Sequence, residues 1–305
     1  MTEPQYQPSS NIPSVNASVK FNVGPMQRLF LFICAAFIGL TIASVLMGVI
    51  TWNGTSPARL RIATVVQDLF MFVLPAVATA FFITRRPADF LLLRRVPGLS
   101  KGVLTVCIVL ASLPAIEWLV AWNAGLTLPQ SMSGIEEWMR QAESQAGEFT
   151  STLIGGHGWS SFIVALLIVG VLAAFSEELF FRGTLQRLFS TAGVNVHIAV
   201  WLTAIVFSAI HMQFFGFFPR LVLGALFGYI VAWTGCVWLG MLAHFVNNAI
   251  AAWALVFNTP AAGAELAAAN AATVIQPDAF LAGGSACMTI LLLWLLRRQC
   301  QSGLR

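Results

Sequence analysis

Charge is what this sequence has least of. Asp, Glu, Lys and Arg make up 9% of its 305 residues, against 58% hydrophobic ones; a soluble domain carries about a quarter charged residues. The shortage excludes an ordinary water-soluble globule and points to an integral membrane protein. Tyrosine is scarce as well, 2 residues beside 24 Phe and 10 Trp. The five cysteines, Cys34, Cys107, Cys236, Cys287 and Cys300, form no CxxC and no metal-ligand spacing, and they read as small packing residues. Cys300, beside Arg297 and Arg298, has the juxtamembrane setting of an acylation site, a weak signal. No HExxH, internal repeat or second soluble domain is present. The net charge of +4 resides in basic residues at the ends of apolar runs, where they orient a chain in a bilayer and imply no nucleic-acid partner.

What is there is long apolar runs. A spanning helix needs about 20 such residues, and by that measure the segments fall near 29–50, 62–84, 102–122, 159–190, 194–213, 219–235, 237–257 and 279–296. The fold class is therefore all-α, a polytopic bundle of about eight transmembrane helices. The fourth run exceeds one crossing, so its last turns, with Gln186 and Arg187, are expected to emerge into the interface. Residues 1–25 read as a disordered cytoplasmic tail rather than a signal peptide. Residues 26–298 form a single transmembrane domain, and 299–305 a C-terminal cytoplasmic tail.

An even number of crossings places both termini on one side. With the termini inside, Lys20, Arg28, Arg85, Arg86, Arg94, Arg95, Lys101, Arg182, Arg187, Arg297, Arg298 and Arg305 face inward, leaving Arg59, Arg61, Arg140 and Arg220 outside. This asymmetry puts both termini in the cytoplasm, and the short loops fit a bacterial inner membrane. The acidic outer stretch SGIEEWMRQAESQAGEF has the pattern of a surface helix. The Ala-rich outer loop 258–278 reads as mobile.

Against this background the segment AAFSEELFFRG, 173–183, stands out, because a charge near the centre of a spanning helix costs about 2.5 to 3.5 kcal/mol. Glu178 and Arg182 are four apart with the acid first, the spacing of a helical ion pair. Glu177 is left over. Two further polar islands lie in apolar spans: Phe207 and His211 on one face of the fifth helix, and His244 and Asn248 on one face of the seventh, with Asn247 a competitor at the wrong spacing. At 1.5 Å per residue, Glu177, His211 and His244 lie about 20, 25 and 10 Å from the inner helix ends, and tilt would let them share a cavity opening inward. An ion-pair network that only holds helices together is the plain alternative.

Together E-E-x-x-x-R at Glu177, Glu178 and Arg182, F-x-x-x-H at Phe207 and His211, and H-x-x-x-N at His244 and Asn248 resemble the motifs of the CAAX-protease and bacteriocin-processing (Abi) family of intramembrane endopeptidases, related to the type II CAAX prenyl endopeptidase. The resemblance covers about residues 160–257. It implies that Glu177 and His211 activate a water, that His244 and Asn248 stabilise the oxyanion, and that Glu178, Arg182 and Phe207 support them. It also implies a peptide or membrane-anchored protein as substrate. The favoured mechanism uses no metal or other cofactor; the alternative is a zinc ion on His211, His244 and Glu177, a ligand set of known catalytic type. Two other functions compete: a non-catalytic scaffold or bacteriocin self-immunity protein that binds a peptide in the same cavity, and a transporter with a carboxylate relay. The transporter is disfavoured because no inverted repeat is visible.

Overall fold

The computed structural model describes residues 23–258 and 278–302. Every regular element among them is helical, and apart from short turns at Pro87–Phe90, Gln130–Met132 and Phe214–Gly216 they are α1 Pro25–Thr51, α2 Pro57–Ile83, α3 Leu99–Ala124, α4 Ser133–Ile154, α5 Trp159–Thr191, α6 Val196–Ala209, α7 Phe217–Thr234, α8 Val237–Phe257 and α9 Ala279–Ser302. The expected disorder of the N-terminal tail and mobility of the 258–278 loop concern residues that lie almost wholly outside the described ones. α9 continues to Ser302, into the segment expected as the C-terminal tail.

Seven of these helices are long and apolar enough to cross a membrane; the other two are α4, which is amphipathic, and α6, which is apolar but only 14 residues long. The axial rise of α6, about 21 Å, falls short of the roughly 30 Å hydrocarbon layer. The outer faces agree with a lipid setting. Phe30, Ile33 and Phe37 on α1 are all more than half exposed, which water would penalise and acyl chains do not. Cys107 and Cys287 are exposed too, so the reading of all five cysteines as packing residues holds for Cys236, which is buried, and fails for these two.

Backbone irregularities mark where helices accommodate one another. Pro114 interrupts the hydrogen-bond ladder of α3. Ser285 of α9 fills the gap, accepting from Ala115 N at 3.1 Å and donating to Ala111 O at 2.5 Å. Wide π turns occur in α2 (Leu69–Val73) and twice in α5 (Leu166–Leu172 and Phe181–Leu185). In α7, Gly224 and Gly228 let α5 and α6 approach closely. A Cβ on Gly224 would stand 3.1 Å from the Phe207 ring, and one on Gly228 2.9 Å from Gln186 Oε1.

That close packing covers the end of α5, whose last turns the sequence places at the interface, with neighbouring helices. Gln186 and Arg187 are 4% and 5% exposed, and Gln186 donates its amide to Gly228 O at 3.0 Å. One turn earlier, Arg182 donates to Gly224 O at 2.7 Å. The two helices run in the same direction, so side chains four apart on one meet carbonyls four apart on the other.

The amphipathic α4 lies at the end of the bundle opposite the start of α3. Its last carbonyls, Leu153 O and Ile154 O, accept from the Arg61 guanidinium of α2, both at 2.9 Å. Its middle rests on the turn between α6 and α7: Trp138 meets the Phe214 ring at 5.2 Å, and Arg140 sits 4.5 Å over Phe215.

Candidate functional site

The site begins where α6 stops. The helix ends at Ala209, and Met212 takes a left-handed φ of 53° that reverses the chain. His211 therefore sits on the turn after the helix, which corrects its placement on a helical face. The four-residue relation to Phe207 survives by another route, since the His211 Nδ1 contact to Phe207 O is 2.7 Å.

Several groups hold this turn from outside. Buried Asn123 accepts from Phe218 N at 2.9 Å and donates to Phe214 O at 3.2 Å, while Ser208 Oγ donates to Phe217 O at 2.7 Å. Gln213 donates to Glu143 of α4 at 3.1 Å and accepts from Arg220 at 2.8 Å. Burial raises the Glu143 carboxyl above its ordinary value, while Arg220, the Phe215 amide and Gln213 oppose the rise. None of Asn123, Glu143, Gln213 and Arg220 was singled out by sequence pattern. The available signal was their being polar residues near the ends of apolar runs.

A carbonyl can only accept, so the Phe207 contact fixes a proton on His211 Nδ1 and, in the neutral ring, leaves Nε2 with a lone pair. Nε2 faces Glu177 Oε2 at 4.0 Å. Both residues are partly buried, and Glu177 Oε2 is itself buried with no hydrogen-bond partner. The distance is too long for a direct hydrogen bond. A water placed about 2.8 Å from each atom would subtend an angle near 90°. It could donate one hydrogen to each acceptor and leave its oxygen lone pairs free.

Glu178 has a separate environment. It is fully buried, and its Oε1 accepts from Arg182 Nη1 at 2.5 Å and from His244 Nδ1 at 3.0 Å. Arg182 also faces the Phe207 ring at 4.7 Å, and His244 stacks on Phe227 at 5.3 Å. A buried ion pair is tolerable only when its remaining polar atoms find partners; the Gly224 carbonyl, His244 and the aromatic rings supply most of them. Since Nδ1 of His244 donates to Glu178, its Nε2 carries a hydrogen only in the imidazolium form.

Asn248 reaches across to α5. Its amide donates to Val169 O at 2.8 Å, inside the π turn, and its oxygen accepts from Asn247 at 3.2 Å. One N–H of its amide remains for another acceptor.

The structure thus brings Glu177 to His211, and Glu178 with Arg182 to His244, while Asn248 joins α8 to α5. Among the described residues no three His, Cys, Asp or Glu side chains converge as a metal ion requires. Zinc on His211, His244 and Glu177 does not fit this arrangement, because the three side chains do not converge on one point. His211 lies on the turn that α4 covers, at the end of the bundle away from the start of α3.

Comparison with known proteins agrees with the resemblance read from the three motifs. Residues 159–250 match the family model described as type II CAAX prenyl endopeptidase Rce1-like, a protease family. The uncharacterized protein YpbD of Bacillus subtilis (strain 168) is 30% identical over 96 residues, which is 30% of this chain and 46% of the relative. The chain thus spans less than half the length of the curated relative it matches. No solved structure matches.

Proposed function

We propose that this chain is an intramembrane endopeptidase in which Glu177 and His211 activate a water for attack on a peptide carbonyl. The observation that carries the reading is the facing pair of acceptors, Glu177 Oε2 and His211 Nε2. As the water oxygen bonds to the carbonyl carbon, its proton passes to Glu177. The tetrahedral oxyanion is met by the remaining Asn248 N–H and by His244 Nε2–H when that ring is protonated against Glu178. Collapse breaks the C–N bond, and the proton held by Glu177 goes to the departing amine, leaving a carboxylic acid and a free amine. Preorganised donors of this kind act strongly where water is excluded, each worth about 2.7 to 4 kcal/mol.

The substrate is a peptide or membrane-anchored protein, and the setting a bacterial inner membrane with both termini cytoplasmic. The test compares membrane proteomes of cells carrying wild-type protein, Glu177→Ala or His211→Ala. A polypeptide truncated only with the wild type is expected. Identical proteomes, with all three proteins present at equal level, would favour the peptide-binding scaffold instead.

A further inference from the structure

Arg187 stands near the end of α5, and the mechanism above does not use it. It is 5% exposed, and its Nε is buried with no hydrogen-bond partner. No carboxylate lies within ion-pair distance of it among the described residues. The side chain whose charge acts on it is Arg95, a second cation. A guanidinium does not give up its proton in a protein, so burial and repulsion both persist. A buried charge left unpaired is strongly destabilising.

The fold fixes this pair in place. Cys236 Sγ donates to Arg95 O at 3.1 Å and Trp238 Nε1 to Leu93 O at 2.8 Å, which pins the segment between α2 and α3 on the start of α8. Arg95 Nη1 donates to Thr234 O at 3.3 Å, at the end of α7. Gly235, with a φ of 62°, leaves it room, since a Cβ there would stand 2.8 Å from Nη1. Residues 23–30, 84–101, 183–197, 231–240 and 295–302 make up this end of the bundle among the described residues. Asp89 is the only acid in them, and it lies 3.4 Å from Arg94. The C-termini of α5 and α7 contribute about half a negative charge each, enough to offset one guanidinium and not two. Over its 33 residues α5 rises about 50 Å, more than the roughly 40 to 45 Å of a bilayer with its headgroups. Arg187, about 6 Å from the helix end, therefore lies at headgroup level.

We propose that Arg187, with Arg95 beside it, binds a phosphate group, carried by a phospholipid headgroup or present as inorganic phosphate. Phosphate offers several acceptor oxygens, which guanidinium groups grip by paired N–H bonds. Arg95 is partly exposed, so the pair borders the outside of the protein. The anion supplies the negative charge that the chain omits at this end. Its binding is independent of whether the protein cleaves peptides.

The test measures thermal unfolding of the full-length, delipidated protein in uncharged detergent. It is titrated with phosphatidylglycerol, with diacylglycerol of the same acyl chains, or with inorganic phosphate against chloride at matched ionic strength. A ligand that binds the folded state raises the midpoint. Phosphatidylglycerol is expected to raise it where diacylglycerol does not; an equal rise with inorganic phosphate would identify the free ion as a sufficient ligand. Arg187→Gln should weaken the apparent affinity by about tenfold, the change that one charge-assisted hydrogen bond accounts for. Arg298→Gln, at an exposed basic residue of α9 at the same end, should leave it unchanged. Equal losses in these two variants would reduce the effect to surface charge and overturn the proposal. If Arg187→Gln fails to fold, Arg95→Gln takes its place with the same expected weakening. A wild type that responds no more to phosphatidylglycerol than to diacylglycerol, and no more to phosphate than to chloride, would overturn it without any variant.

Discussion

His244 Nδ1 lies 3.0 Å from Glu178 Oε1, so the histidine of α8 is bound to the second glutamate of α5 rather than to the first. Two neighbouring acids on one helix are thereby divided between two histidines on two other elements. Glu177 faces His211, and Glu178 holds His244 while neutralising Arg182.

This division predicts different losses on neutralising each acid. Glu178→Gln strands a fully buried guanidinium and should lower folding stability by about 3 to 5 kcal/mol, measured as unfolding in detergent. Glu177→Gln removes no ion pair of Arg182 and should change stability little while abolishing cleavage. Equal destabilisation of the two variants would contradict the division.

Asn248→Ala should reduce kcat by roughly 10² to 10³ through loss of an oxyanion donor, with KM little changed. Loss of its bond to Val169 should cost about 1 kcal/mol of stability in addition. A strong chelator should leave the wild-type rate unchanged, and purified active protein should contain no stoichiometric zinc by elemental analysis. Chelator-sensitive activity restored by zinc would refute this.

Gly240 is predicted to be intolerant of a single methyl group. A Cβ there would stand 2.6 Å from Val231 Cγ2 and 3.0 Å from Glu178 Oε2, so Gly240→Ala should destabilise by about 1 to 3 kcal/mol through overpacking. Gly48, in α1, has nothing within 4 Å of such a Cβ. Gly48→Ala should be neutral or stabilising by up to about 1 kcal/mol, the helix preference for alanine. Thermal unfolding of the two variants side by side checks the contrast.

The contact between α4 and the His211 turn should depend on pH through Glu143. Its carboxyl titrates above the ordinary glutamate value because of burial. A raised value means the docked state binds the proton more tightly. The resulting stabilisation is fully present below the ordinary value and is lost as pH rises through the raised one. Hydrogen exchange at residues 210–216 should therefore be slower under acidic conditions, after correction for intrinsic rates. Glu143→Gln should remove that dependence.

Much of the helix layout was legible because bilayer thickness sets a length that apolar runs must meet. The polar islands were legible because charge in such runs is costly. Their pairing was less accessible. Spacing along one helix gives Glu178 with Arg182, but nothing in it says that His244 shares the same carboxylate, which depends on how α8 packs on α5. The end of α6 was misplaced because Ile210 and Met212 are apolar enough to extend the run, while the left-handed Met212 breaks the helix. Length alone places Gln186 and Arg187 toward the interface; it does not show that α5, 33 residues long, buries them against its neighbours, which depends on packing.

The paired bonds from Arg182 to Gly224 O and from Gln186 to Gly228 O act as two teeth of a key. Each carbonyl has a second lone pair to offer beyond its own helix bond, so neither tooth competes with the backbone. Sliding α5 along α7 by less than a full turn, about 5.4 Å, would disengage both at once and leave Arg182 Nη2 and the Gln186 amide buried without these acceptors. Small displacements between these two helices are therefore resisted, and larger ones must jump a whole register. Under the proposed function, admission of a substrate is expected to move helices other than this pair.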